Sequence, residues 1–197
     1  ISSMLEGTYK CILMFVVICG TNNSASAGEI LKEISYTTQT YENNGWADTT
    51  IKPNLSYSEN LSQDTNKYQV SISITPIYES AYIYYINNSE YTMGSVTITD
   101  SQKLKQLNNK VSVNYFNKDE NFSPVYDDDG LVGSFSKTFS NISEEDLSDF
   151  NITVAFPEAE SIPSSVMGLD SSCEALTVDY SVKFQVTATV SLQSGSS

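Results

Sequence analysis

The chain contains no histidine and no arginine: its ten basic residues are all lysine, set against 24 acids. Without histidine there is no Ser-His-Asp or Cys-His nucleophile system and no His-ligated zinc or haem. Without arginine there is no arginine finger and no bidentate fork for phosphate. A formal charge of −14 repels phosphate, so nucleic acid is excluded as a partner. Cysteine is scarce too, with three in 197 residues, and proline numbers five. What the chain does have is 40% hydrophobic residues, enough for a sizeable core in one domain.

Residues 1–27 read as a secretory signal peptide. Lys10 supplies a weakly basic start, Cys11 to Cys19 form a nine-residue apolar run, and Ala25-Ser26-Ala27 provides small residues for signal peptidase. Met4 is the expected start of that signal. The run is shorter than the roughly 20 residues of a membrane span, so no stable span is expected. A lipoprotein reading would acylate Cys19, but Ile18 stands where a small residue belongs. The mature chain is expected to begin at Gly28, leaving Cys173 as its one thiol. That thiol is either inert and buried or an intermolecular disulfide, and the polar run Asp170-Ser171-Ser172-Cys173-Glu174 favours exposure.

Asn-X-Ser/Thr occurs at Asn22, Asn54, Asn60, Asn87, Asn121, Asn141 and Asn151. Asn22 falls in the signal and Pro124 follows the Asn121 site; the six from Asn54 onward are candidate glycosylation sites of an exported surface.

The body reads as all-β. Tyr68, Val70, Ile72 and Ile74 alternate with Gln69, Ser71, Ser73 and Thr75, and Pro76 is expected to end that strand or mark an edge. Further strands are expected over Ala81–Ile86, Val96–Ile98, Val111–Tyr115, Leu131–Phe139 and Ile152–Phe156. The longest alternation runs from Leu176 through Val182, Phe184 and Val186 to Leu192, 17 residues. At about 3.3 Å per residue it would extend about 56 Å, far beyond an ordinary strand. It must bend across two sheets, pair with several neighbours or reach another subunit. Ser143 followed by Glu144, Glu145 and Asp146 has the cap and first-turn acids of one short helix near 143–150, with Leu147 and Phe150 inward. The expected fold is an antiparallel β-sandwich, immunoglobulin-like or pilin-like, over 64–197, preceded at 28–63 by an arm or first hairpin.

The run from Phe139 through Ile142, Asp146, Phe150 and Ile152 to Val154 resembles the corner leading into strand F of immunoglobulin-like domains. Phe150 stands where that family has its corner tyrosine and Ile152 where antibody domains have cysteine. The resemblance implies an immunoglobulin-like sandwich and nothing about activity.

Few constellations could carry chemistry. Asp127, Asp128 and Asp129 before Gly130 could bind Ca²⁺ or form a solvated turn; no other cofactor is expected. Lys137 lies in phase with Phe135 and Phe139, so it is either an inward edge charge or an amine poised to form an isopeptide bond with an asparagine. Tyr78, Tyr82, Tyr84, Tyr85 and Tyr91 crowd one hairpin and could form an adhesive or sugar-binding face. No enzymatic activity is expected.

These features point to a secreted structural protein, a cell-surface, filament or matrix subunit. It would form a homo-oligomer by strand exchange, with Ile34 and Tyr36 of the N-terminal arm inserted against the long strand. The alternatives are an adhesin or host-surface glycan binder, and then a β-pore former, which would need two long amphipathic strands.

Overall fold

The computed structural model describes residues 28–43, 49–57, 67–107, 112–115, 118–119 and 123–193. The expected signal segment, Trp46 and the sequons at Asn60 and Asn121 lie outside them. No described helix is long and apolar enough to cross a membrane.

The chain is mostly antiparallel β-structure in two sheets. Among the described residues eleven strands run in the order β1 (Ile30–Thr37), β2 (Tyr41–Asn43), β3 (Thr49–Ile51), β4 (Tyr68–Asn87), β5 (Thr92–Ile98), β6 (Ser112–Tyr115), β7 (Lys118–Asp119), β8 (Ser123–Tyr126), β9 (Val132–Ile142), β10 (Ile152–Ala155) and β11 (Cys173–Leu192). The α-helices among the described residues are α1 (Ser101–Lys105), α2 (Glu144–Ser148) and α3 (Ser164–Met167), each of one turn or little more. The larger sheet has the order β1-β11-β4-β9-β8, with β2 also on β11 and β5 also on β4; the smaller is β3-β10-β6-β7. Ile51, Ile152 and Val154 of the smaller sheet join the inward residues of β4 and β11 in one core cluster.

β4 and β11 form the axis of the molecule. Each has 20 residues, and they pair from Cys173↔Asn87 to Leu192↔Tyr68. The long strand is therefore satisfied inside its own chain. Each strand carries one bulge, which bends it and resets its alternation. In β4, Tyr78 and Ala81 both face inward, with Glu79 and Ser80 between them. In β11 the inward residues step from Ala175 to Val178, so Leu176 is turned out at 43% exposure. The expected unbroken alternation from Leu176 therefore begins at Val178.

Pro76 does not end β4. Phe184, its partner, uses its own N–H and C=O on Thr38, on the side away from β4. Pro76 therefore presents its missing donor to the opposite edge, in the gap between β9, whose last pair is Phe135↔Ile74, and β5, whose first is Ile98↔Ala81.

The expected helix near 143–150 is α2. Ser143 Oγ accepts from the Asp146 N–H at 3.1 Å, three acids fill the first turn, and Leu147 and Phe150 are buried. α1 and α3 were not anticipated. Asp100 caps α1 by accepting from Gln102 and Lys103, and α3 lies between Pro163 and a left-handed Gly168 at φ 72°. The stretch resembling an immunoglobulin corner passes from β9 through α2 into β10, so it does connect the two sheets. There the Phe150 ring meets Phe139 edge-on at 5.3 Å, a packing contact where a tyrosine corner would use a hydroxyl.

Candidate functional site

The arm residues Ile34 and Tyr36 lie on the long strand, as the sequence suggested, but within the same chain: Ile34 faces Ala188 and Tyr36 faces Val186. The acceptor row is fully buried, with Phe184, Val186 and Val190 at 0% exposure; Val182, also at 0%, lies beyond β1 and pairs with Tyr41 of β2. The donor is not. Ile30 is 57% exposed, and Leu31, Ile34 and Tyr36 are half-buried against the core.

Polar contacts hold this seam in register. Gly28 N–H donates to Leu192 O at 2.9 Å, and Leu192 N–H returns a bond to Glu29 O at 3.3 Å. Gly28 has φ 83°, a conformation that suits glycine at this turn into the strand. On the outer face Thr37 donates to Gln185, whose amide donates to Ser35 Oγ at 3.2 Å. At the far end Thr38 and Phe184 exchange a backbone N–H···O bond of 2.9 Å and a bond from Phe184 N–H to Thr38 Oγ1 of 3.0 Å. Lys32 donates to Ser56 O at 2.8 Å, and burial lowers its pKa. Beyond β1, Tyr41 of β2 packs its ring 6.0 Å from Phe184.

Two shallow hollows adjoin the seam. One, of about 470 Å³, lies between Tyr36–Tyr41 and Thr50–Lys52, where the edges of the two sheets meet. The other, of about 630 Å³, crosses β1, β11, β4 and β9 over Ser35, Ser71, Ser73, Thr187 and Thr189. Four of its hydroxyls bond one another within the sheet, Ser71 with Thr138 at 3.0 Å and Ser136 with Ser73 at 3.3 Å.

The other sequence candidates are dispersed. Asp127 is engaged by its own turn: Oδ1 accepts from the N–H groups of Asp129 and Leu131, and Oδ2 accepts from Lys105 Nζ at 2.7 Å. Those bonds, led by Lys105, lower its pKa. Among the described residues no group of three or more His, Cys, Asp or Glu could hold a metal ion, so Asp127, Asp128 and Asp129 are not brought together as ligands. Cys173 is 8% exposed, opposite Asn87 at the start of β11. Its polar neighbours form the preceding turn while its own side chain faces inward, so the expected exposure, which an intermolecular disulfide needs, is not found.

Lys137 is half-buried opposite Ile72, with Nζ 5.7 Å from the centre of the Phe139 ring. Of the candidate glycosylation sites, Asn54 and Asn141 are exposed and Asn87 and Asn151 half-buried. Asn87 Oδ1 accepts from Ser89 and Glu90 N–H in the hairpin turn. Asn141, at φ 60°, exchanges bonds with Gln193, and Asn151 donates to Asp149 O at 2.9 Å. The tyrosines do not share a face: Tyr78 and Tyr85 point inward, Tyr82 and Tyr84 outward, and Tyr91 is on the hairpin loop. Sequence reasoning missed the bulges at Glu79 and Leu176, which hydrophobic alternation alone does not announce.

No family model matches the chain, and no curated protein matches it. Among solved structures, the coat protein of Tobacco streak virus, determined as a dimer, overlaps 84% of this chain and 88% of its own at 10% identity. The TM-score is 0.23.

Proposed function

We propose that this protein is a secreted, glycan-bearing structural subunit of a cell-surface, pilus-like or matrix assembly, acting by association and not by turnover. In this reading its two sheets form an immunoglobulin-like or pilin-like sandwich, and β1 passes between copies. The observation that carries it is the contrast across the β1–β11 seam. Phe184, Val186 and Val190 are fully buried, while the apolar residues of β1 stay half-exposed and Ile30 is 57% exposed. The core depends on having a strand at this position more than β1 depends on being there. A β1 from a second copy could occupy the same register, Ile30↔Ser191 to Thr37↔Gln185, with every side-chain and backbone contact reproduced. The exchange then costs only the rearrangement of the connection. Exposed Asn54 supports the glycan-bearing exterior.

The test is to delete residues 28–41 and add that segment back as a peptide. The truncated protein should no longer assemble beyond a dimer and should melt at a lower temperature, and the peptide should restore the melting temperature. Assembly of the truncated protein equal to that of the full chain would overturn the proposal.

A further inference from the structure

An unpaired strand edge invites another strand, and β-proteins blunt such edges with charge, proline, bulges or brevity. The described edges here are nearly all blunted. β1 carries Lys32, Glu33 and a register shift between Ile30 and Lys32. β2 has three residues including Glu42, and β8 has four with Pro124 and a shift at Val125/Tyr126. The stretch of β11 beyond β2 has the Leu176 bulge between Glu174 and Asp179. The stretch of β9 beyond β8, residues 137–142, carries Lys137 and a register shift against β4. In the smaller sheet β3 has three residues and β7 two.

β5 is the exception. Thr92-Met93-Gly94-Ser95-Val96-Thr97-Ile98 is seven residues without charge, proline or bulge, paired on one side with β4 and with no strand on its other side among the described residues. Met93 is 70% exposed, and the adjoining Tyr84 and Tyr91 are 47% and 88% exposed.

We infer that β5 is a dimerisation edge, pairing antiparallel with β5 of a second copy about a two-fold axis at Ser95. The occupant follows from the edge census: among its described residues a second copy offers one unblunted edge, the same β5, so edge pairing between these strands has one permitted partner and closes as an isologous dimer. The strand is also self-complementary. About Ser95, each Met93 faces the Thr97 of its partner, and each Gly94 faces a Val96. Thr97 already neighbours Tyr82, and Ser95 neighbours Tyr84, so Met93 of one copy extends the outward tyrosine pair of the other. The lack of charge matters in a chain of net charge −14, because this strand brings no like charges face to face. This interface is independent of β1 exchange, which uses the other side of the sheet.

The experiment is sedimentation velocity over a concentration series on the full chain and two double variants at exposed β5 positions. Met93→Glu with Thr97→Glu sets like charges opposite one another twice and should weaken the dimer at least tenfold. Met93→Glu with Thr97→Lys sets opposite charges there and should restore it to within a few-fold of the parent. Both variants leave β1 untouched, and equal melting temperatures for the two would show that folding does not explain the difference. A parent protein monomeric throughout, or equal weakening in both variants (as a donated β1 or a foreign strand on this edge would give), overturns the inference.

Discussion

Tyr78 and Tyr180 pack their rings at 5.4 Å in the core, yet only one hydroxyl is satisfied. Tyr180 donates to Pro157 O at 2.8 Å, while the buried Tyr78 hydroxyl has no partner among the described residues. An orphaned buried hydroxyl carries its desolvation cost uncompensated. Tyr78→Phe should therefore raise stability by about 1 kcal/mol, or about 2–4 °C in melting temperature for a chain of this size. Tyr180→Phe should lower it by a similar amount, because the Pro157 carbonyl loses its donor. Thermal melts of the two variants check this directly, and the opposite signs separate hydrogen bonding from packing.

The same pair sets an alkaline limit. Burial raises both phenol pKa values, Tyr78 further through its neighbour Tyr180. The unfolded phenols ionise at about pH 10 while the folded ones stay neutral. Their contribution is fully present below about pH 10 and is lost as pH rises from there towards the folded values. Unfolding free energy from denaturant titrations at pH 8, 10 and 11 should fall above about 10, with a shallower fall in Tyr78→Phe.

At the acid end, Lys105 and the turn N–H groups hold the Asp127 carboxyl below its usual pKa. A lowered folded pKa stabilises above the unfolded value of about 3.9 and is lost as pH falls through the folded one. Asp127→Asn should reduce stability at pH 6 and reduce it less at pH 2.5. An equal loss at both values would assign the effect to turn geometry alone.

Gly94 lies directly under Tyr85: a Cβ there would sit 2.6 Å from Tyr85 Oη and 2.7 Å from Cζ. Gly94→Ala should cost about 1–2 kcal/mol by displacing the ring, and that cost should largely vanish in a Tyr85→Ala background. A double-mutant cycle by denaturant unfolding measures the coupling.

The all-β, antiparallel character was legible because alternation is a direct consequence of the pleat. Val70, Ile72 and Ile74 are buried as their spacing required, and α2 followed from Ser143 and its acids. Phase was the weak point. A bulge adds one residue and inverts every later side chain, and neither Glu79 nor Leu176 marks itself in sequence. Pro76 misled for a related reason, since a missing donor ends a strand only where a partner needs it. The polar neighbours of Cys173 belong to the turn, while its own side chain belongs to the core, so they say nothing of its exposure. The seam between the arm and the long strand was visible as two amphipathic segments in need of cover. Whether one chain or two supplies them is set by the connection between them and not by alternation.

That question has a direct measurement. Ser35 and Thr187 are opposite one another on the outer face of the seam, in register between the Thr37↔Gln185 and Glu33↔Thr189 pairs. Ser35→Cys with Thr187→Cys provides a cross-strand pair within disulfide reach in either a single chain or an exchanged one. Oxidation of the assembled protein followed by non-reducing electrophoresis reports which. Exchange of β1 predicts covalent multimers that collapse to monomer on reduction. A fully oxidised product that runs only as monomer would fix β1 on its own β11 and contradict the account.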